Sequence, residues 1–168
     1  MKRVLYQPDL DLVSQIDWAR LAAYIDGEGN IDIADQVHKA PFEGKGRYGY
    51  VRVTVTNTDP RLSEWLYKTF GGSVQMRSGT RLFKGKTQNW KDCFNWVLCN
   101  HRGAQMLQRC LPYFIIKREQ AELAISFQRT VVRSGRRGTP QDVLEKRAVI
   151  KSQLRVLTSR GQSVATGS

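Results

Sequence analysis

The 168 residues, 40% hydrophobic and including four tryptophans, suit one folded domain that needs no disulfides, and they exclude a disordered basic tail. A formal charge of +12, doubled in a pair of chains, points to a polyanionic partner, since lysine and arginine release counterions condensed on phosphates; binders of membranes or RNA and generically basic proteins share the trait. Cys93, Cys99 and Cys110 lack a CxxC spacing and His38 lies far from His101, which argues against a disulfide framework or a zinc centre; with neither a spanning segment nor a signal-peptide core, the chain reads as soluble and intracellular, in a bacterial or archaeal cytoplasm or an organelle.

The first expected element is a short helix over residues 18–25, capped by Asp17 and stopped by Gly27 and Gly29. It is nearly all apolar, so it should be buried on more than one side. Ile31 and Ile33 alternate with polar neighbours as a strand does, and residues 40–47 read as a loop. From Tyr48 to Thr56 the alternation is sharper, with Val51, Val53 and Val55 on one face. These two segments form a hairpin.

Pro60 opens a second helix bearing Leu62, Trp65, Leu66 and Phe70, and Gly71-Gly72 closes it. A second hairpin is expected from residues 73–81 and 89–99 around Gly85. There Trp90, Phe94, Trp96 and Leu98 form the apolar face, while Lys91, Cys93 and Asn95 point the other way. Helices over residues 102–111 and 117–132 follow, separated by Pro112, and a last helix begins at Pro140 after the SGRRG break. The order gives an α+β domain, an antiparallel sheet with helices on one face. The expected divisions are an N-terminal extension (1–16), the core domain (17–133), a C-terminal helical extension (134–160) and a tail (161–168).

The sheet face away from the helices carries Asn30, Asp32, Ala34, Gln36, His38, Tyr48, Tyr50, Arg52, Thr54, Gln75, Arg77, Lys91, Cys93 and Asn95. Many of these side chains could read base edges in a DNA major groove, and a plain solvated face fits the same pattern. Arg136 and Arg137 could add phosphate contacts.

The segment Leu21 to Gly29 reads LAAYIDGEG. Asp26 and Glu28 stand where a helix runs out, at the negative end of its dipole, which disfavours acids unless they hold a cation. Hard carboxylate oxygens suit Mg²⁺. Ala22 and Ala23 would let a second helix approach closely. If that helix belonged to another copy, two Glu28 carboxylates would meet and need metal between them. An ordinary core helix ending in an Asp-Gly turn is the plain alternative.

LAAYIDGEG resembles the signature of the LAGLIDADG homing endonucleases, with Ala23 in place of a glycine and Glu28 as the final acid. Two further blocks are similar. Asn57, in Val55-Thr56-Asn57-Thr58-Asp59, takes the place of the polar residue beside the catalytic acid. The run Leu111 to Ala121, LPYFIIKREQA, resembles the family's L-x-PYL-x-x-K-x-x-QA block and maps its basic residue to Lys117. The resemblance implies the αββαββα fold with a saddle-shaped sheet and an intron-encoded, metal-dependent nuclease. With one motif per chain, it implies a homodimer that cuts both strands of a long, roughly palindromic DNA target and leaves short 3′ overhangs. It assigns Glu28, Asn57 and Lys117 to catalysis, and Glu28 with the Gly27 carbonyl to metal. Leu21, Ala22, Ala23, Ile25 and Asp26 fall at the dimer interface. Mg²⁺ is the expected ion, Mn²⁺ a substitute, and Ca²⁺ a supporter of binding without cleavage. A catalytically silent binder on the same scaffold, an RNA maturase or a DNA-binding regulator, is the competing expectation.

Overall fold

The computed structural model describes residues 6–36, 48–83, 86–131 and 139–160. Its first helix, α1 (Gln15–Glu28), starts earlier than the sequence suggests, because Ser14 and not Asp17 is the cap. The Ser14 hydroxyl accepts from the Asp17 N–H at 3.1 Å and donates to the Asp17 carboxylate at 2.7 Å, a reciprocal closure of the first turn. Gly27 does not stop the helix, which runs on through Glu28 to a cap at Gly29. A Cβ on Gly29 would lie 2.6 Å from the Ile25 Cα, so only glycine lets the chain turn this tightly into β1 (Gly29–Gln36).

Strand β1 pairs antiparallel with β2 (Tyr48–Asn57), opposing Asp32 to Arg52 and Asn30 to Thr54. Asp59 caps α2 (Pro60–Phe70), with Pro60 at the helix start, where its missing N–H costs nothing. Gly71 and Gly72, at φ of 77° and 88°, then reverse the chain in a region side chains rarely enter.

The second hairpin departs from the expectation. It is split into β3 (Ser73–Arg77), β4 (Thr80–Phe83), β5 (Lys86–Asn89) and β6 (Cys93–Cys99). The main sheet runs β1-β2-β6-β3, and β4 with β5 forms a separate two-stranded ribbon. The break is bonded in place: the Gly79 N–H donates to Asp92 and the Trp90 N–H to the Gly79 carbonyl. Trp90, expected on the apolar face, therefore lies in the connection and is exposed. Lys91 lies in the same turn, off the sheet, lining a shallow cleft with Thr58, Asp59 and Arg61.

After β6 come α3 (Asn100–Cys110), a 3-10 turn at Leu111–Tyr113, α4 (Arg118–Arg129) and α5 (Gln141–Arg160). The order over the core is αββαββα, with the helices on one face of the antiparallel sheet. Trp18, Leu21, Ala22 and Ile25 of α1 meet Val51, Val53, Val55, Phe70 and Trp96 in that core. Burying a side chain such as Phe70 is worth roughly 1.5–3 kcal/mol. The buried Trp96 indole spends no polar group, since its N–H donates to the Gly71 carbonyl at 2.8 Å. Helix α5 docks on α4 through Ile150 and Leu154. Its buried Arg147 donates to the Thr130 hydroxyl and carbonyl. No helix among the described residues is long and apolar enough to cross a membrane.

Candidate active site and nucleic-acid interface

Glu28 is the last residue of α1 and Asn57 the last of β2, so the α1–β1 turn and the β1–β2 register decide their meeting. The Asn57 amide donates to the Glu28 carboxylate at 2.6 Å, and its carbonyl oxygen accepts from the Asp59 N–H at 2.8 Å. Both ends of the amide are thereby fixed. Asp59 in turn binds the Arg61 guanidinium. That side-chain bond, with the Arg61 N–H beside it, pushes the Asp59 carboxyl down to about 2. Arg61 escaped the sequence reading. The available signal was a cation in the first turn of a helix, which opposes the dipole unless an acid offsets it.

Asp26 helps set the geometry at the end of the helix. Its carboxylate accepts from the backbone N–H groups of Ile115, Ile116 and Lys117, at 2.8, 3.3 and 2.8 Å. It clamps the loop before α4 to the end of α1 within its own chain. The clamp delivers Lys117 to the end of α1, where its ammonium donates to the carbonyls of Ile25 and Asp26 at 2.6 and 2.7 Å. Lys117 thus neutralises the negative helix end, bonded to the backbone two and three residues before Glu28. Burial pulls its pKa below the ordinary lysine value, against the opposing charge of Asp26.

The expected interface residues divide in two. Leu21, Ala22 and Ile25 are wholly buried in the chain's own core and have no surface left for a partner. Ala23 is exposed, and with Ile16, Arg20, Tyr24 and Gly27 it forms the outward stripe of α1. A Cβ on Gly27 would meet nothing within 4 Å, so the fold itself does not require glycine there.

On the sheet's other face the register aligns Asn30, Thr54, Val97 and Ser73 in one row, and Thr56, Asn95 and Gln75 in another. Ala34 and Tyr50 oppose each other, as do Arg77 and Cys93, and Gln75 and Arg77 are exposed. Asn95, expected as a base reader, is only 5% exposed and accepts from the Thr56 hydroxyl at 2.8 Å, which makes it part of the sheet's packing. His38, Arg136 and Arg137 lie outside the described residues, as do the side chains of Gln36 and Tyr48.

Among the described residues no group of three or more His, Cys, Asp or Glu could hold a metal ion. Each chain brings one carboxylate to this place, Glu28. Its partner is a neutral amide, whereas seven other carboxylates among the described residues are ion-paired with arginine or lysine. An exposed carboxylate with no cationic partner among the described residues could serve as one oxygen ligand of a hard divalent ion.

The architecture is the LAGLIDADG homing-endonuclease fold. Among solved structures, homing endonuclease I-CvuI in complex with the I-CreI target and Mg is similar at a TM-score of 0.65 and 20% identity, over 85% of this chain and 82% of that chain. The archaeal intron-encoded homing endonuclease I-Vdi141I, complexed with DNA, matches at 0.63 and 12% identity, over 84% of each. The LAGLIDADG homing endonuclease I-GzeII, in complex with its DNA target, matches at 0.55 and 13% identity, over 83% of this chain but 44% of its own. No family model matches the sequence, and neither does any curated protein.

Proposed function

We propose that the protein is a site-specific, Mg²⁺-dependent DNA endonuclease that acts as a homodimer on a long, roughly palindromic duplex. The observation that carries the reading is the Glu28–Asn57 contact, at the foot of a helix whose outward stripe exposes Ile16, Ala23 and Gly27. Small residues on that stripe admit the backbone of a second α1, and the pairing would bring two Glu28 carboxylates to one axis. The coverage figures support a half-unit: the chain spans most of I-CvuI but less than half of I-GzeII.

Glu28 would hold the divalent ion, with the Gly27 carbonyl as a further oxygen. When bound, the ion supplies an activated water and neutralises charge on the leaving oxygen. Asn57 fixes the Glu28 carboxylate and aims its amide at the site. Lys117 keeps positive charge at the helix end, where a scissile phosphate would lie. The sheet face of Asn30, Asp32, Ala34, Tyr50, Arg52, Thr54, Gln75, Arg77 and Cys93 enters the major groove and sets the target, and Gln36, His38, Tyr48, Lys91, Arg136 and Arg137 add further contacts to the DNA. Each strand loses one phosphodiester bond, and short 3′ overhangs remain.

The test is digestion of a random duplex library with Mg²⁺, followed by sequencing of the cut ends. Paired ends with a fixed overhang and one enriched site are expected, and Glu28→Gln should abolish cutting while keeping the DNA bound. Mn²⁺ should replace Mg²⁺, and Ca²⁺ should support binding alone. Specific binding with no cut ends under any of these ions would instead identify a silent binder.

A further inference from the structure

Arg52 and Asp32 face each other directly across β1 and β2 on the sheet's polar side. The Arg52 Nε donates to one Asp32 oxygen at 3.0 Å, and its Nη2 donates to the other at 2.5 Å. This side-on grip uses one edge of the guanidinium. The end-on edge, Nη1 with the second hydrogen of Nη2, meets no hydrogen-bond partner among the described residues, and the side chain is 40% exposed. The pair lines one wall of an open cleft between β1 and α5, with Lys151 and Arg155 opposite.

From this geometry we infer that Asp32 presents Arg52 as a guanine reader, specifying one G at an equivalent position in each half of the DNA target. The inference rests on the proposed DNA-cleaving function. Its chemistry is directional: guanine offers N7 and O6 as adjacent major-groove acceptors, matching two parallel donors, whereas adenine sets a donor beside its N7. The alternative is a phosphate contact, and the charge balance argues against it. A guanidinium neutralised by its own carboxylate has little net attraction for a polyanion but keeps all its free donors in place. Holding the fork in advance also reduces the rotamer entropy lost on binding. Asp32 meanwhile repels phosphate and so favours specificity over affinity. Asp32 is a positioning residue here and Arg52 the specificity-determining one.

The experiment is bind-and-sequence selection on a random duplex library without Mg²⁺, using the full chain and its variants. The wild type should enrich a motif with a guanine on each half-site. Arg52→Ala should lose roughly ten- to a hundredfold of discrimination at that position alone. Arg52→Gln should shift the preference to adenine, whose N6 and N7 pair with an amide. Asp32→Ala should blur the same position while overall affinity holds or rises, an effect that mere strand pairing would not produce. An unchanged motif in Arg52→Ala overturns the inference. So does an even loss across all sequences with the salt slope reduced by about one, the signature of a phosphate contact. A wild type that enriches no motif removes the DNA-cleaving reading too, which separates the two failures.

Discussion

The candidate site is built from groups that each hold one neighbour still. Asp26 spends its carboxylate on three backbone donors and thereby delivers Lys117 to the end of α1. Replacing Asp26 with Asn leaves one amide oxygen for those donors and removes the charge that strengthens the bonds. Hydrogen bonds to a charged group contribute about 1.5–3 kcal/mol each, and relaxation would hide part of that. Asp26→Asn should therefore lower the urea midpoint by an amount equivalent to about 1–3 kcal/mol. An unshifted midpoint would show that the loop is held by other contacts. The Lys117 ammonium offers a second check. Burial disfavours its charged form, so its proton should leave at a lower pH than from the chain's solvated lysines. Stability should rise with pH across that interval, because there the unfolded chain binds the extra proton. NMR titration of labelled lysine side chains, with Lys117→Met for assignment, reads the midpoint directly. A Lys117 midpoint in line with the exposed lysines would remove the desolvation argument.

At the level of elements, α1 separates two neighbouring alanines by what each touches. Ala22 is wholly buried in the core, and Ala23, one residue on, is exposed. A larger side chain at Ala22 must overpack the core, so Ala22→Leu should cost roughly 1–3 kcal/mol and lower the melting temperature. Ala23→Trp should leave the chain folded, with native circular dichroism, and move the sedimentation profile from dimer to monomer. An unaltered profile would sink the α1 seam. The sequence could not assign these faces, because α1 is apolar nearly all round and its periodicity has no direction. The strands were readable for the opposite reason. In β2 the buried Val51, Val53 and Val55 alternate strictly with polar residues, so their faces could be read before any coordinates. The acids of the LAAYIDGEG segment were legible from residue type, Asn57 only through the family resemblance, and the Glu28–Asn57 contact brings them together. The division of the second hairpin was not legible, since its run of strand-forming residues continues past Ser78. What ends the strand is a long-range pair of bonds among Gly79, Trp90 and Asp92, and one-dimensional patterning does not encode such a pair. Asn95 alternates as a surface residue should, yet Thr56 and the neighbouring strands bury it.

Across the whole molecule, charge and symmetry make one joint prediction. The chain carries 27 lysines and arginines against 15 acids, and a dimer would present that excess twice to a single duplex. If the protein acts as proposed, sequence-independent affinity should come from the phosphates that these cations neutralise, and discrimination from the sheet face. A dimer that neutralises about 6–10 phosphates should lose roughly 10³–10⁵ in affinity between about 50 and 200 mM salt. The slope of log affinity against log salt counts the phosphates engaged, so it also reports on assembly. A monomer reaches one half-site, and Ala23→Trp should therefore show roughly half the wild-type slope on the same duplex. Arg52→Ala should leave the slope unchanged, because its partner in the groove would be a base. Equal slopes for wild type and Ala23→Trp would mean that one chain makes all the phosphate contacts. The twofold arrangement of the two Glu28 carboxylates would then have to be abandoned, even with the fold intact.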